Sequence, residues 1–198
     1  MRRCGGSQSI STRVAKRAAN AAKKSADIAE NALYVTQRAY ISVRPEWSIE
    51  VDSDGNIVSI GFWTKQDNQG NTPAVRVVNK SRSDFLPKAD NKFSYDGSAG
   101  HIGQKTTVGP RSDIVTDRQV FTVNYIRQIS DGNAPLFLSG WLEYDDIFSG
   151  TPRHGVEWCF EFTIEGNLKR GECQGRFDVY GEHNQYYDCP PSPVRTSS

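Results

Sequence analysis

From Tyr40 onward the chain alternates apolar and polar side chains. Tyr40-Ile41-Ser42-Val43-Arg44 and Trp47-Ser48-Ile49-Glu50-Val51 each put every second residue on one face, the period of a half-buried strand. Pro45, between them, marks a bend or an edge position, because proline has no N–H for a central ladder. Asp52-Ser53-Asp54-Gly55-Asn56 has turn chemistry and Ile57 to Thr64 forms a return strand, so residues 40–66 read as a hairpin. A second turn runs from Asn68 to Pro73, followed by a strand over Val75 to Asn79. Residues 80–104 are polar and glycine-rich and read as a long surface loop. Lys105 to Val108 is a short strand ahead of the Gly109-Pro110 break. Pro135 to Tyr144 and Val156 to Ile164 are the two strongest strands, and Arg176 to Tyr180 is the last. About seven short strands separated by turns predict a mainly β fold, an Ig-like antiparallel sandwich over residues 40–189.

Two segments depart from the period of two. Residues 10–38 contain neither glycine nor proline and are rich in Ala, Lys and Arg, which predicts one long N-terminal helix. Val14, Ala18, Ala21, Ser25, Ile28, Ala32 and Val35 fall at alternating steps of four and three, a heptad seam of mostly small side chains. Such a seam buries little area. The helix therefore reads as solvated, packed on the body or on a second copy, with a membrane-surface helix as the alternative. Residues 117–131 read two ways. Val120 to Ile126 is β-branched and aromatic, as strands are. Thr116 or Asp117 can equally cap a helix that ends at Gly132 and shows Phe121, Tyr125 and Ile129 on one face. Residues 1–9 and 190–198 read as disordered ends.

Charge sharpens the division. Residues 1–40 hold 8 basic and 2 acidic residues, so 8 − 2 = +6, and residues 41–198 hold 16 and 21, so 16 − 21 = −5. The helix and the body face different surroundings or attract each other. An acidic body disfavours nucleic acid as a partner, since nucleic-acid-binding domains show a basic face. The expected partners are a protein or a second copy engaged through the helix, or an anionic membrane surface. The N-terminal stretch lacks the apolar core of a signal peptide. The chain reads as cytoplasmic if complete as given, and as membrane-associated if an anchor lies upstream.

One hairpin concentrates chemistry. Between the two strongest strands, Tyr144-Asp145-Asp146-Ile147-Phe148-Ser149-Gly150-Thr151-Pro152-Arg153-His154 brings Asp145, Asp146, Arg153 and His154 toward one tip. Carboxylates grouped with a histidine can bind a small ligand or a divalent cation, or move a proton. The simpler reading is structural: aspartates capping turn N–H groups, and Arg153 in an ion pair across the hairpin. Trp141, Tyr144, Phe148 and Trp158 read as packing aromatics. Neither a nucleophile elbow, a zinc-protease helix nor a phosphate-binding loop is present, so no catalytic residue, metal ligand or cofactor is implied and the chain reads as non-enzymatic.

Gln37-Arg38-Ala39-Tyr40, Gly70-Asn71-Thr72-Pro73-Ala74 and the 144–154 hairpin, together with Trp158-Cys159 and Asp188-Cys189, resemble a family of uncharacterised small bacterial proteins. The resemblance covers residues 35 to about 189. It implies an N-terminal helix, often continuing from a membrane span, that leads into a β-domain, and it favours a helix over 117–131. This sequence shows no apolar stretch of membrane-spanning length. Four cysteines, Cys4, Cys159, Cys173 and Cys189, allow three pairings. In an oxidising space Cys159–Cys189 is the preferred disulfide, whereas in the cytosol Cys159 is a small buried hydrophobe.

Overall fold

The computed structural model describes residues 7–85, 101–102, 105–132, 134–167 and 172–189. Cys4 and the expected tail over 190–198 lie outside them. Contacts divide the chain into two units, Met1–Arg38 and Ala39–Ser198.

The first unit is helix α1, Ser7–Gln37, 31 residues long. It begins at Ser7, ahead of the expected start at residue 10. Every described side chain from Thr12 to Leu33 is exposed. Tyr34 donates to the Glu30 carboxylate one turn back at 2.5 Å, which raises the Tyr34 phenol pKa. Among the described residues no helix is long and apolar enough to cross a membrane.

The second unit is mainly β, with two antiparallel sheets facing each other and one short helix. The first sheet pairs β1 (Ile41–Val51) with β2 (Ile57–Asn68). The expected 40–66 hairpin is formed, and β1 runs straight through Pro45, which stands opposite Thr64. At its turn Asp52 accepts the N–H groups of Asp54 and Asn56, which lowers the Asp52 pKa.

In the second sheet, β3 is Ala74–Phe85, β4 His101–Ile102 and β5 Thr106–Val108. The third strand runs on to Phe85, so residues 80–85 are strand and the expected loop is shorter by that much. Residues 86–100 are outside the described set. Two short strands, β6 (Asp113–Val115) and β7 (Gln119–Thr122), pair end to end along β2. The two best expected strands are β8 (Leu136–Asp145) and β9 (Arg153–Asn167). Then come β10 (Glu172–Val179) and β11 (Gln185–Cys189), both on the outer edge of β9. The order is β10 and β11, then β9, β8, β3, then β4 and β5. Eleven strands are present among the described residues where about seven were expected. The extra ones are mostly two to five residues long, too short to show a period.

Residues 117–131 are neither one strand nor one helix. β7 takes the first part, and helix α2 follows over Val123–Ser130, buried through Ile126 and Ile129. Thr122, not Thr116 or Asp117, is the residue at its start. Gly132 ends it with φ +65, donating to the Ile129 carbonyl, a left-handed turn that glycine takes freely. Phe121 therefore belongs to the sheet, yet it still meets Tyr125 and Phe85, with ring centroids at 5.8 and 4.8 Å.

The core lies between the sheets in two clusters. One groups Ile41, Val77, Leu142, Tyr144, Val156 and Trp158. The other groups Ile60, Phe62, Ile126, Leu136 and Phe162, with the Phe62 and Phe162 rings edge to face at 4.7 Å. Alternation explains the strands, and aromatics fill the volume.

Cysteine placement corrects one expectation. Cys159, Cys173 and Cys189 are free thiols. Cys189 pairs with Arg153 in the β9–β11 register, and Cys159 lies 159 − 153 = 6 residues along β9. At about 3.3 Å per residue that is roughly 20 Å, far beyond the separation a disulfide spans. Burial, aided by the Asp84 charge, pushes the Cys159 thiol up to about 12 from its ordinary 9.0. The unfolded chain loses that proton near its ordinary value and the folded chain does not. The contribution to stability is therefore whole below pH ~9 and is lost as pH rises toward ~12, by up to about 1.4 kcal/mol per unit. Urea midpoints of the wild type and Cys159→Ala at about pH 8 and about pH 10.5 read this difference. The wild type should lose more over that interval, and equal losses would refute the argument.

Candidate functional site

The four hairpin residues do not converge on one centre. Alternation along β8 and β9 sends them to opposite faces of the sheet, in two separate pairs.

Arg153 and Asp145 lie on the outer face. Arg153 Nη1 donates to Asp145 at 2.5 Å and its Nε to Glu143 at 3.0 Å, while Nη2 reaches the backbone carbonyl of Arg76 at 3.1 Å. Arg76 returns the contact, its Nε donating to Asp145 at 2.7 Å. Arg76 sits at an irregularity in the β3–β8 ladder with φ +51, a left-handed conformation rare for residues with a Cβ. Two guanidinium groups thus converge on one oxygen, Oδ2, of the Asp145 carboxylate. Arg153 ties three strands together, and its planar fork suits two carboxylates at once.

Asp146 and His154 lie on the inner side. Asp146 follows β8 directly, and its side chain is 1% exposed. Oδ1 accepts from the Phe148 N–H at 2.9 Å and from the Thr151 hydroxyl at 2.6 Å. This is an Asx turn, and Gly150 completes the connection at φ +86. The other oxygen, Oδ2, faces His154 Nε2 at 3.2 Å. His154 Nδ1 faces Asp188 Oδ1 on β11 at 2.8 Å. The imidazole is thus held between two carboxylates, one from the hairpin and one from β11. Tyr144 covers the imidazole, ring centroids 5.4 Å apart. The result is a clasp from the hairpin tip through His154 to β11.

β11 is held at a second point, where Tyr186 stacks on Tyr40 with centroids at 4.9 Å. Burial, reinforced by the Tyr40 hydroxyl, raises the Tyr186 phenol. Next to Asp188, burial beside Glu143 pushes the Cys189 thiol up to about 11.

Reading the sequence named Asp145, Asp146, Arg153 and His154 but gave no role to Asp188, Glu143 or Arg76. The first stands 34 residues from its histidine, and only the fold joins them. Of the aromatics, Tyr144 and Trp158 are buried as expected, while Trp141 is only partly covered. Among the described residues, no three His, Cys, Asp or Glu side chains are grouped to hold a metal ion. With its donors and acceptors engaged by one another, the hairpin is arranged to fix strands. Comparison with protein-family models, curated proteins and solved structures gives no match.

Proposed function

We propose that the chain is a non-enzymatic binding or structural module whose β-domain is positioned by its N-terminal helix. The observation that carries this reading is the helix itself. It is 31 residues long, and its seam residues Val14, Ile28 and Val35 are each more than half exposed. Isolated helices gain little from propensity alone and draw most of their stability from packing an apolar face. A helix of this length with an uncovered seam is suited to a protein surface or a second copy. The +6 charge of residues 1–40 against −5 for the rest favours a partner of acidic character. The hairpin supports the same view, because its residues tie strands to one another.

Static light scattering of the whole chain and of a 40–198 truncation, with flotation on vesicles containing anionic lipid, tests the reading. The whole chain should self-associate, or bind an added partner, through residues the truncation lacks. Identical monomers, with vesicle binding by neither, would defeat the positioning role. Flotation of the whole chain alone would move the assignment to a membrane surface. A ligand-binding activity at the hairpin is the weaker reading, since Asp145 is held by Arg76 and Arg153 and Asp146 by its own turn.

A further inference from the structure

Where β1 and β2 meet the turn between β5 and β6, a cleft of about 380 Å³ opens on the outer face of the first sheet. Its size falls within the range of small-ligand sites. Ser42, Arg44, Asp67, Gln69, Arg111 and Ser112 line it. Arg44 donates to Asp67 at 3.1 Å, so those two charges offset each other. Arg111 supplies the remaining charge, leaving the lining at 2 − 1 = +1 on a domain that is otherwise acidic.

Two observations point beyond a surface dimple. The first is the backbone of Arg111, at φ +57. Glycine or asparagine takes that conformation with little strain, and a long side chain there is uncommon. Strain of this kind persists where a side chain is needed in one place. Arg111 is aimed by Asn71, whose Oδ1 accepts from Nη2 at 3.0 Å. That uses one of five N–H donors. The second is the rigidity of the wall. Arg111 N donates to the Asn68 carbonyl at 3.0 Å, and the Ser112 hydroxyl to the Gly109 carbonyl at 2.8 Å. On the other rim the Gln69 amide donates to the Ser42 hydroxyl at 2.9 Å. A preformed wall loses little freedom when a ligand arrives. Asn71 belongs to the Gly-Asn-Thr-Pro-Ala turn singled out in the sequence, and aiming Arg111 gives that turn a purpose.

We propose that this cleft binds a small anion through one carboxylate or phosphate group, received by the Arg111 guanidinium and by the Ser42 hydroxyl, which accepts from Gln69 and keeps its own hydrogen to donate. Charge-assisted contacts from a planar fork suit either group.

The test uses the full chain. Amide spectra are followed as inorganic phosphate and, separately, acetate are added at constant ionic strength, with chloride as the control. The expected result is saturable shifts at Ser42, Gln69, Arg111 and Ser112 in the low millimolar range. Stronger saturation by phosphate assigns a phosphate ligand, and by acetate a carboxylate. Arg111→Gly should weaken binding about tenfold or more, with a melting temperature equal to or above wild type because the strain is relieved. Arg111→Asn, which also tolerates the left-handed backbone, should do the same. Shifts that chloride reproduces, that fail to saturate, or that survive in both variants would overturn the proposal.

Discussion

Asn68→Ala is expected to lower the unfolding free energy by about 4 kcal/mol, read as a drop in urea midpoint at unchanged slope. The Asn68 side chain is buried where three segments meet. Oδ1 accepts from the Tyr40 N–H at 3.1 Å and the Gly70 N–H at 3.0 Å. Nδ2 donates to the carbonyls of Thr72 at 2.8 Å, Val108 at 3.2 Å and Gly109 at 3.1 Å. An amide nitrogen has two hydrogens, so two of those carbonyls share one. Alanine would orphan two N–H groups and leave three carbonyls short. An orphaned buried group costs about 1–3 kcal/mol, and partial access to water keeps the sum near the lower end. Asn68→Asp separates the two halves of this argument. It keeps both acceptor contacts but turns an oxygen toward the carbonyls, so it should be at least as damaging as alanine. A loss under about 2 kcal/mol in both variants would mean that the loops hold themselves, because so few orphans would then be felt.

Gly140→Ala is expected to cost about 3 kcal/mol, at the upper end of overpacking effects. Gly140 sits in the middle of the second sheet, between Ser81 on β3 and Trp158 on β9. A Cβ there would stand 2.5 Å from Trp158 Cζ2, and closer still to the Lys80 carbonyl oxygen. The ring can tilt, but the carbonyl belongs to the β3 backbone and cannot retreat without parting the β3–β8 ladder. The double variant Gly140→Ala, Trp158→Phe should therefore recover little of the loss. Full recovery would show that the ring alone was in the way. Thermal or urea unfolding of the three proteins decides between these outcomes.

The periodic parts of this fold were legible in the sequence. The 40–66 hairpin declared itself through strict alternation and an Asp-Gly turn, and β8 and β9 through long apolar-aromatic runs. Strands of two to four residues, such as β4, β6 and β7, carry too few positions to show a period. Residues 117–131 satisfied two templates because two elements share them, with the boundary at Thr122. The hairpin residues were found by type, but their roles were not. Local chemistry suggested Arg153 against an aspartate, and register then chose Asp145 over Asp146. His154 and Asp188 meet only because β11 returns to the edge of β9. The Cys159–Cys189 expectation failed for the same reason, since strand register rather than sequence spacing sets how far apart two residues lie. Asn68 gave no signal at all. A single asparagine in a turn looks ordinary until the loops around it are closed.

Pro45 has a further consequence. Thr64, its partner across the ladder, directs its N–H to the Thr116 hydroxyl and its carbonyl to the Thr116 N–H, away from β1. Pro45 therefore occupies a position where a strand residue would turn its own N–H outward, toward the open margin of the first sheet. That margin is 11 residues long, and an uninterrupted row of such length invites another chain to add on. With no hydrogen to offer at its middle, the row is broken into two short pieces. The proline thus removes an N–H donor from the edge along which a further strand would otherwise pair.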